Sequence, residues 1–127
     1  MASLVLAGLL VGACSLDRSL EALDVLGDIM AGDGPSRLKR DTAEPSRAEL
    51  TYRIDGRARR GDLHFLPEPR AGIVLVPGVA RGGKDDARLV AFARTLARAR
   101  FAVLVPGIVT LRDLTVSPTD IREVADA

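Results

Sequence analysis

Residues 72–78 have the sequence GIVLVPG, and residues 101–107 have the closely similar sequence FAVLVPG. Each is a short apolar run, rich in β-branched residues and ended by proline and glycine. This pattern is typical of a strand buried on both faces of a parallel sheet. Between the two runs, residues 86–100 carry apolar side chains at helical spacing. The three segments predict a β-α-β unit with a right-handed crossover.

A β-hairpin is predicted immediately before this unit. Residues 50–54 alternate between apolar and polar side chains, as do residues 63–65. Between these segments, Asp55 and Gly56 are residue types that tolerate the positive φ angles of a tight hairpin turn. The sequence therefore predicts the α/β class, with a β-hairpin followed by a parallel β-α-β unit.

The N-terminal residues 4–13 are uncharged and mostly apolar. They are too few to cross a bilayer core of about 30 Å as a helix, and a run of this length is typical of a signal peptide. The run ends in VGAC at residues 11–14, which resembles the bacterial lipobox. The resemblance implies a lipoprotein signal peptide at residues 1–13 and lipidation of Cys14. The alternative is a buried N-terminal helix with an inert cysteine.

Lipidation would decide where the protein is found. It implies that the chain is anchored to the lipid bilayer through acylated Cys14, in the bacterial cell envelope. Because Ser15 follows the cysteine, similarity to sorted lipoproteins implies the outer membrane where the cell has one. Under the alternative of an inert cysteine, the chain is cytoplasmic.

An amphipathic helix is predicted after the leader. Large apolar side chains recur three and four residues apart, whereas the charged residues lie elsewhere; the apolar set is Leu16, Leu20, Leu23, Leu26 and Met30. Glycine and proline at residues 32–35 stop this helix. The predicted organisation is a signal peptide at 1–13, the helix at 14–32, a linker at 33–48 and the α/β domain at 49–127.

Composition excludes several classes of protein. The chain is 47% hydrophobic and 28% charged, which is typical of a globular domain. Its net charge of +1 offers no basic face for nucleic acid. One cysteine cannot form an internal disulfide, and one cysteine with one histidine cannot supply a transition-metal site. No cofactor or metal is expected.

The order of these elements resembles the first half of the α/β-hydrolase fold, in the dienelactone-hydrolase-like or serine-aminopeptidase-like subgroup. The resemblance covers about residues 48–127. In that family the loop after the first parallel strand begins His-Gly and donates a backbone N–H to the oxyanion hole. Here Pro77 replaces the histidine, so the resemblance makes Gly78 and Val79 the oxyanion-hole candidates. Alternatively, Pro77 and Gly78 simply end a strand, as residues 106–107 do.

The catalytic nucleophile of that family lies in Gly-x-Ser-x-Gly on a later turn. None of the six serines has this context; they are Ser3, Ser15, Ser19, Ser36, Ser46 and Ser117. Residues 117–120 predict the start of a capped helix, which in the family precedes the nucleophile strand. The 127 residues are therefore expected to be a partial hydrolase domain, truncated before that strand, with no catalytic residues and no activity alone. The alternative is a small lipid-anchored binding or structural protein on a β-α-β scaffold.

Three other polar features have simpler interpretations than catalysis. His64, in the hairpin, is expected to be a surface or half-buried strand residue. The adjacent Asp85 and Asp86 are expected to be solvated acids at a helix start. Residues 82–84 resemble a phosphate loop only faintly, because Asp85 follows the lysine, where the phosphate-loop pattern requires Ser or Thr.

The predicted sheet is incomplete, so one of its strands would have an open edge. Unpaired N–H and C=O groups at such an edge predict self-association of the chain.

Overall fold

The computed structural model describes residues 2–79 and 81–113, together with Arg122 and Ala125. The predicted helix start at residues 117–120 lies outside the described residues. The elements, in chain order, are α1 (Ala2–Ala31), α2 (Arg37–Asp41), β1 (Ser46–Ile54), β2 (Arg57–Phe65), β3 (Ala71–Val74), a 3-10 turn (Gly83–Asp85), α3 (Ala87–Arg98), β4 (Phe101–Pro106) and α4 (Val109–Arg112).

The protein has the α/β class, with one mixed four-stranded sheet in the order β1-β2-β4-β3. Strands β1 and β2 form the predicted antiparallel hairpin, which turns at Asp55 and Gly56 with φ angles of 48° and 73°. Strand β2 is antiparallel to β4, and β4 is parallel to β3. Helix α3 connects β3 to β4, so the predicted parallel β-α-β unit is confirmed.

The core lies between β4 and α3. Val103 and Val105 of β4 are completely buried against Ala93 of α3, as the apolar run at 101–107 predicted. Leu89 and Leu96 extend this contact from the same helix because they lie on the apolar stripe of α3.

Strand β3 departs from the expectation of burial on both faces. It ends at Val74, whose side chain is 40% exposed, and Ile73 is only half-buried. The cause is its position, because β3 is the last strand of the sheet among the described residues and pairs only with β4. Main-chain pairing continues for one residue, as Leu75 N donates to Leu104 O at 2.8 Å.

Helix α1 runs without a break from Ala2 to Ala31, across the predicted boundary at residues 13 and 14. It stops at Gly32, which has a φ angle of +55°.

The predicted linker at 33–48 is wrong in part, because it contains α2 and the first residues of β1. Ser36 explains why α2 begins at Arg37, because the Ser36 hydroxyl caps this helix by accepting a hydrogen bond from Lys39 N at 3.0 Å. Within the part of the chain that the structure describes, no helix is long and apolar enough to cross a membrane.

Candidate functional site

The carboxyl ends of β3 and β4 lie at the same edge of the sheet because the two strands are parallel. In open α/β sheets, ligands bind beyond this edge. A cavity of about 240 Å³ opens here between the loop after β3 and the turn after β4. Its lining includes Gly82, Gly83 and Lys84 from the first loop and Gly107 from the second.

A cluster of four charged side chains joins this loop to the hairpin. Asp62 of β2 is only 3% exposed, and its Oδ2 accepts from Arg47 Nε at 3.0 Å and Lys84 Nζ at 2.9 Å. Arg47 Nη2 donates to both Asp62 and Asp85. These four residues, Arg47, Asp62, Lys84 and Asp85, are called the Asp62 cluster below. They tie together β1, β2 and the loop that follows β3.

The charges of this cluster stabilise one another. Burial alone would raise the pKa of the Asp62 carboxyl, but hydrogen bonds from Arg47 and Lys84 outweigh burial and hold that pKa below its ordinary value. Burial would likewise lower the pKa of Lys84, and its bond to Asp62 raises it instead. Asp62 therefore remains an acceptor and Lys84 a cation over the neutral range.

His64 is completely buried, which corrects the expectation of a surface or half-buried residue. It lies two residues from Asp62 on β2, opposite Val103 of β4, so its side chain is on the sheet face that α3 covers. Burial, together with the nearby cations Arg47 and Lys84, lowers the pKa of the imidazole. Neither ring nitrogen has a hydrogen-bond partner among the described residues. A buried, neutral and unpartnered imidazole has no triad geometry there.

The two oxyanion-hole candidates lie in the loop after β3. Gly78 and Val79 are both exposed, and no heavy atom lies within 4 Å of the point where a Cβ of Gly78 would stand. Gly78 borders an open cavity of about 340 Å³, with Gly83 and Phe92 among its other lining residues. A substrate carbonyl could approach the backbone at this point without a steric clash.

The adjacent acids at the start of α3 have different roles. Asp86 caps the helix, because its Oδ1 accepts from Arg88 N at 3.0 Å and Leu89 N at 3.3 Å, as expected of an acid at a helix start. Asp85 is more than a solvated acid, since it pairs with Arg47 and with Lys84. Lys84, the lysine of the faint phosphate-loop pattern, therefore has two acidic partners, Asp62 and Asp85.

A second polar site was not predicted from the sequence. Asp28 of α1 is buried, and its Oδ2 accepts from Thr95 Oγ1 of α3 at 2.5 Å. Its Oδ1 accepts from Ser36 Oγ and lies 3.2 Å from Lys39 Nζ. Burial would raise the pKa of Asp28, but these partners hold it below its ordinary value. Asp28 lies on the polar face of the predicted amphipathic helix, and no local pattern in the sequence marks a partner 67 residues away.

A cavity of about 550 Å³ lies beside Asp28, between the end of α1 and α3. Phe92 and Ile29 provide apolar walls, and Arg88 and Lys39 are among the charged lining residues. Over the described ranges, no three His, Cys, Asp or Glu side chains are grouped as metal ligands. The side chain of Cys14, in α1, is outside what the structure describes.

Comparison with known proteins gives little further information. No protein-family model matches the chain, and no curated protein is significantly similar to it. A solved structure titled "m3DLH" is 23% identical, with a TM-score of 0.42, over 66% of this chain and 34% of that one. The chain thus spans about a third of the length of that structure. A similarity of this size establishes neither a shared fold nor a shared activity.

Proposed function

We propose that residues 46–113 form the N-terminal strands of an α/β-hydrolase-type domain, whose complete form cleaves an ester or amide bond. The observation that carries the proposal is the strand order β1-β2-β4-β3. An antiparallel hairpin precedes a parallel pair, and the loop with Gly78 and Val79 follows the first strand of that pair. The resemblance was stated on the order of elements along the chain, a hairpin followed by a β-α-β unit with this loop, and that order supports the proposal.

In this proposal Val79 donates its backbone N–H to the carbonyl oxygen of the substrate. Negative charge develops on that oxygen when a nucleophile adds to the carbonyl carbon, and a fixed N–H stabilises it more in the transition state than in the ground state. Gly78 supports this role because it has no side chain and open space around it. Removal of one such donor typically lowers kcat by about 10²–10³-fold.

The Asp62 cluster would act as a positioning device for that loop. Lys84 follows Gly78 by six residues, and its ammonium group bonds to a carboxylate buried in β2. The loop is thereby held at both ends, by β3 before it and by Asp62 after it. A preorganised loop is what an oxyanion hole requires, because donors that must first reorganise stabilise the transition state less.

Residues 1–127 contain no Gly-x-Ser-x-Gly. The proposal therefore assigns the nucleophile, the acid and the catalytic histidine to other segments, and we expect these 127 residues to be inactive alone. The first test is a p-nitrophenyl acetate assay of the purified chain. Turnover that His64→Ala abolishes would overturn the assignment of His64 as non-catalytic, and turnover that survives this change would reveal an unrecognised site.

The second test begins with the DNA downstream of codon 127. If a reading frame there encodes Gly-x-Ser-x-Gly, the joined chain is expressed and assayed as Val79→Pro and, as a matched control, Val79→Ala. Proline removes the N–H and alanine retains it, so kcat should fall about 10²–10³-fold in the first variant only. Equal activities of the two variants, or no such sequence in any frame, would contradict the proposal.

We also propose that Cys14 is acylated and holds the protein at the bacterial cell envelope. Support comes from VGAC at residues 11–14, after an apolar run of signal-peptide length. Two or three acyl chains anchor a protein stably, whereas one chain binds only marginally. The test is radiolabelled palmitate, which should label the wild-type chain in its host but not Cys14→Ala. Labelling that persists in the variant would exclude this site.

Anchoring would also serve the alternative function, a lipid-anchored binding or structural protein that uses the β-α-β unit as a scaffold. The cavity beside Asp28 favours this alternative, because about 550 Å³ lies within the size range of small-molecule sites. The downstream DNA separates the two functions, since only the hydrolase requires the Gly-x-Ser-x-Gly sequence.

A further inference from the structure

The second half of α1 is docked on the domain through its acidic side chains. Arg70 Nη2 lies 2.6 Å from Glu21 Oε1, and Arg37 Nη1 lies 3.8 Å from Asp24 Oδ1. One turn further on, Asp28 is buried among the polar groups described above. The polar face of the helix therefore points towards the rest of the protein, and three successive turns take part in this contact.

The apolar face of the same helix points away from the protein. The leucine stripe, defined as Leu16, Leu20, Leu23, Leu26 and Met30, has side chains that are 54–86% exposed. Its members recur every three or four residues and extend over about 21 Å at 1.5 Å per residue. In a soluble monomer the apolar stripe of a surface helix normally faces the core, and exposed contiguous apolar patches mark a contact surface.

We propose that the leucine stripe lies in the interfacial region of a lipid bilayer, with the domain above it in water. The stripe begins two residues after Cys14 and continues the helix that contains the apolar residues 4–13. The choice of bilayer as occupant rests on the proposed anchoring, which would place Leu16 within one helical turn of the acylated residue. Cys14 lies about 180° round the helix from Leu23. As the first residue of the processed chain, however, it would carry acyl chains that extend past a helix about 10 Å wide into the same membrane.

The area of the stripe argues against a second copy of the chain as its occupant. Stable protein–protein interfaces use about 20–30 residues from each partner, whereas the stripe has five in the part of α1 whose side chains the structure describes. A bilayer has no such threshold, because an amphipathic helix binds in proportion to the apolar area that it inserts. The inserted face also carries no charge, since the acids Glu21, Asp24 and Asp28 pair with cations on the protein side.

The inference can be tested with an environment-sensitive fluorophore in the full chain. The background is Cys14→Ala, which removes both the native thiol and the acylation site. One label is attached through Leu23→Cys, in the stripe, and the matched control through Arg18→Cys. Arg18 is also exposed, but it lies about 140° round the helix from Leu23. Both proteins are titrated with phosphatidylcholine vesicles, and then with vesicles of brominated phosphatidylcholine, which quenches a fluorophore in contact with acyl chains.

We expect the emission at position 23 to shift to shorter wavelength with vesicles, and to be quenched several-fold more strongly than at position 18. Equal responses at the two positions, or none, would overturn the inference. A blue shift at position 23 without vesicles that grows with protein concentration would identify a second copy as the occupant and would also overturn it. Leu20→Cys repeats the measurement within the stripe, and urea unfolding verifies that each labelled chain is folded.

The two membrane proposals fail in different ways. Palmitate labelling reports on Cys14 whatever the helix does, and the fluorophore reports on the stripe in a chain that cannot be acylated. Loss of one signal with retention of the other therefore identifies the proposal that is wrong.

Discussion

Lys84 Nζ lies 2.9 Å from Asp62 Oδ2, so a cation from the loop after β3 is bonded to a carboxylate buried in β2. Arg47 of β1 bonds to the same oxygen. Three segments that are far apart in the sequence thus meet at one atom, beside the edge of the sheet where the candidate site lies.

Asp62→Asn should lower the free energy of unfolding by about 1.5–3 kcal/mol, because hydrogen bonds to a charged group are lost in a buried position. Glu49→Gln is the matched control, since Glu49 lies directly opposite Asp62 on β1. Glu49 forms an exposed ion pair with Arg60 at 3.9 Å, and the change should cost less than about 1 kcal/mol. Urea unfolding at neutral pH measures the free energy of unfolding of the two variants and of the wild-type chain. Equal losses would mean that the Asp62 cluster contributes no more than a surface pair.

Acidification should destabilise the protein through His64. Its folded pKa is lowered by burial, so below about pH 6.5 the unfolded chain takes up a proton that the folded chain excludes. The free energy of unfolding should therefore fall as pH decreases below about 6.5, with a slope of at most about 1.4 kcal/mol per pH unit from this one group. His64→Leu should reduce the slope and be no less stable at neutral pH, because it removes an unpartnered polar group.

The lowered pKa values of Asp28 and Asp62 act in the same direction but at lower pH. Their contribution is complete above about pH 4 and is lost as pH falls below that value. Urea unfolding of wild type and His64→Leu between about pH 7.5 and 4.5 therefore isolates the histidine. Unchanged slopes in the two proteins would show that His64 can be protonated in the folded state.

Thr95→Val should destabilise the protein by about 1–3 kcal/mol, because the Asp28 carboxylate loses a donor but remains buried. Thr95→Ser keeps the hydroxyl and loses one methyl group, so it should cost about 0.8 kcal/mol. Thermal or urea unfolding distinguishes the two. If the serine variant were the less stable, packing rather than the bond to Asp28 would explain the role of Thr95.

Two glycines should respond in opposite ways to alanine. A Cβ on Gly61 would stand 2.9 Å from Val105 O in the neighbouring strand, so Gly61→Ala should cost about 1–3 kcal/mol. Gly27 is inside α1, and nothing lies within 4 Å of a Cβ there. Gly27→Ala should therefore stabilise the protein by about 0.5–1 kcal/mol through helix propensity. A stabilising Gly61→Ala would contradict the observed pairing of β2 with β4.

Self-association is expected at β3, which is the last strand of the sheet within the described part of the chain. A lysine on an edge strand disfavours pairing with another copy. Val74→Lys should therefore lower the association seen in sedimentation of the non-acylated chain. Val109→Lys adds the same charge at an exposed position outside the sheet and should leave association unchanged. A monomeric wild-type chain at all concentrations would refute the expectation.

The sequence predicted those elements whose signals are local. Asp55 and Gly56 specify the hairpin because few other residue types accept its φ angles. The run at 101–107 specifies β4 because every residue in it is apolar or small. Asp86 caps α3 by accepting from the backbone N–H groups of Arg88 and Leu89, two and three residues further on. In each case the causes and the effect lie within a few residues of one another.

Tertiary contacts fixed the rest. His64 alternates with its neighbours as a half-buried residue would, and only the packing of α3 on β2 encloses it. The leucine stripe has the spacing of a core-facing helix, yet it faces outward because Glu21 and Asp28 form their contacts with residues 49 and 67 positions further along the chain. Hydrophobic periodicity gives the two faces of a helix, but long-range ion pairs and hydrogen bonds determine which of them meets the protein.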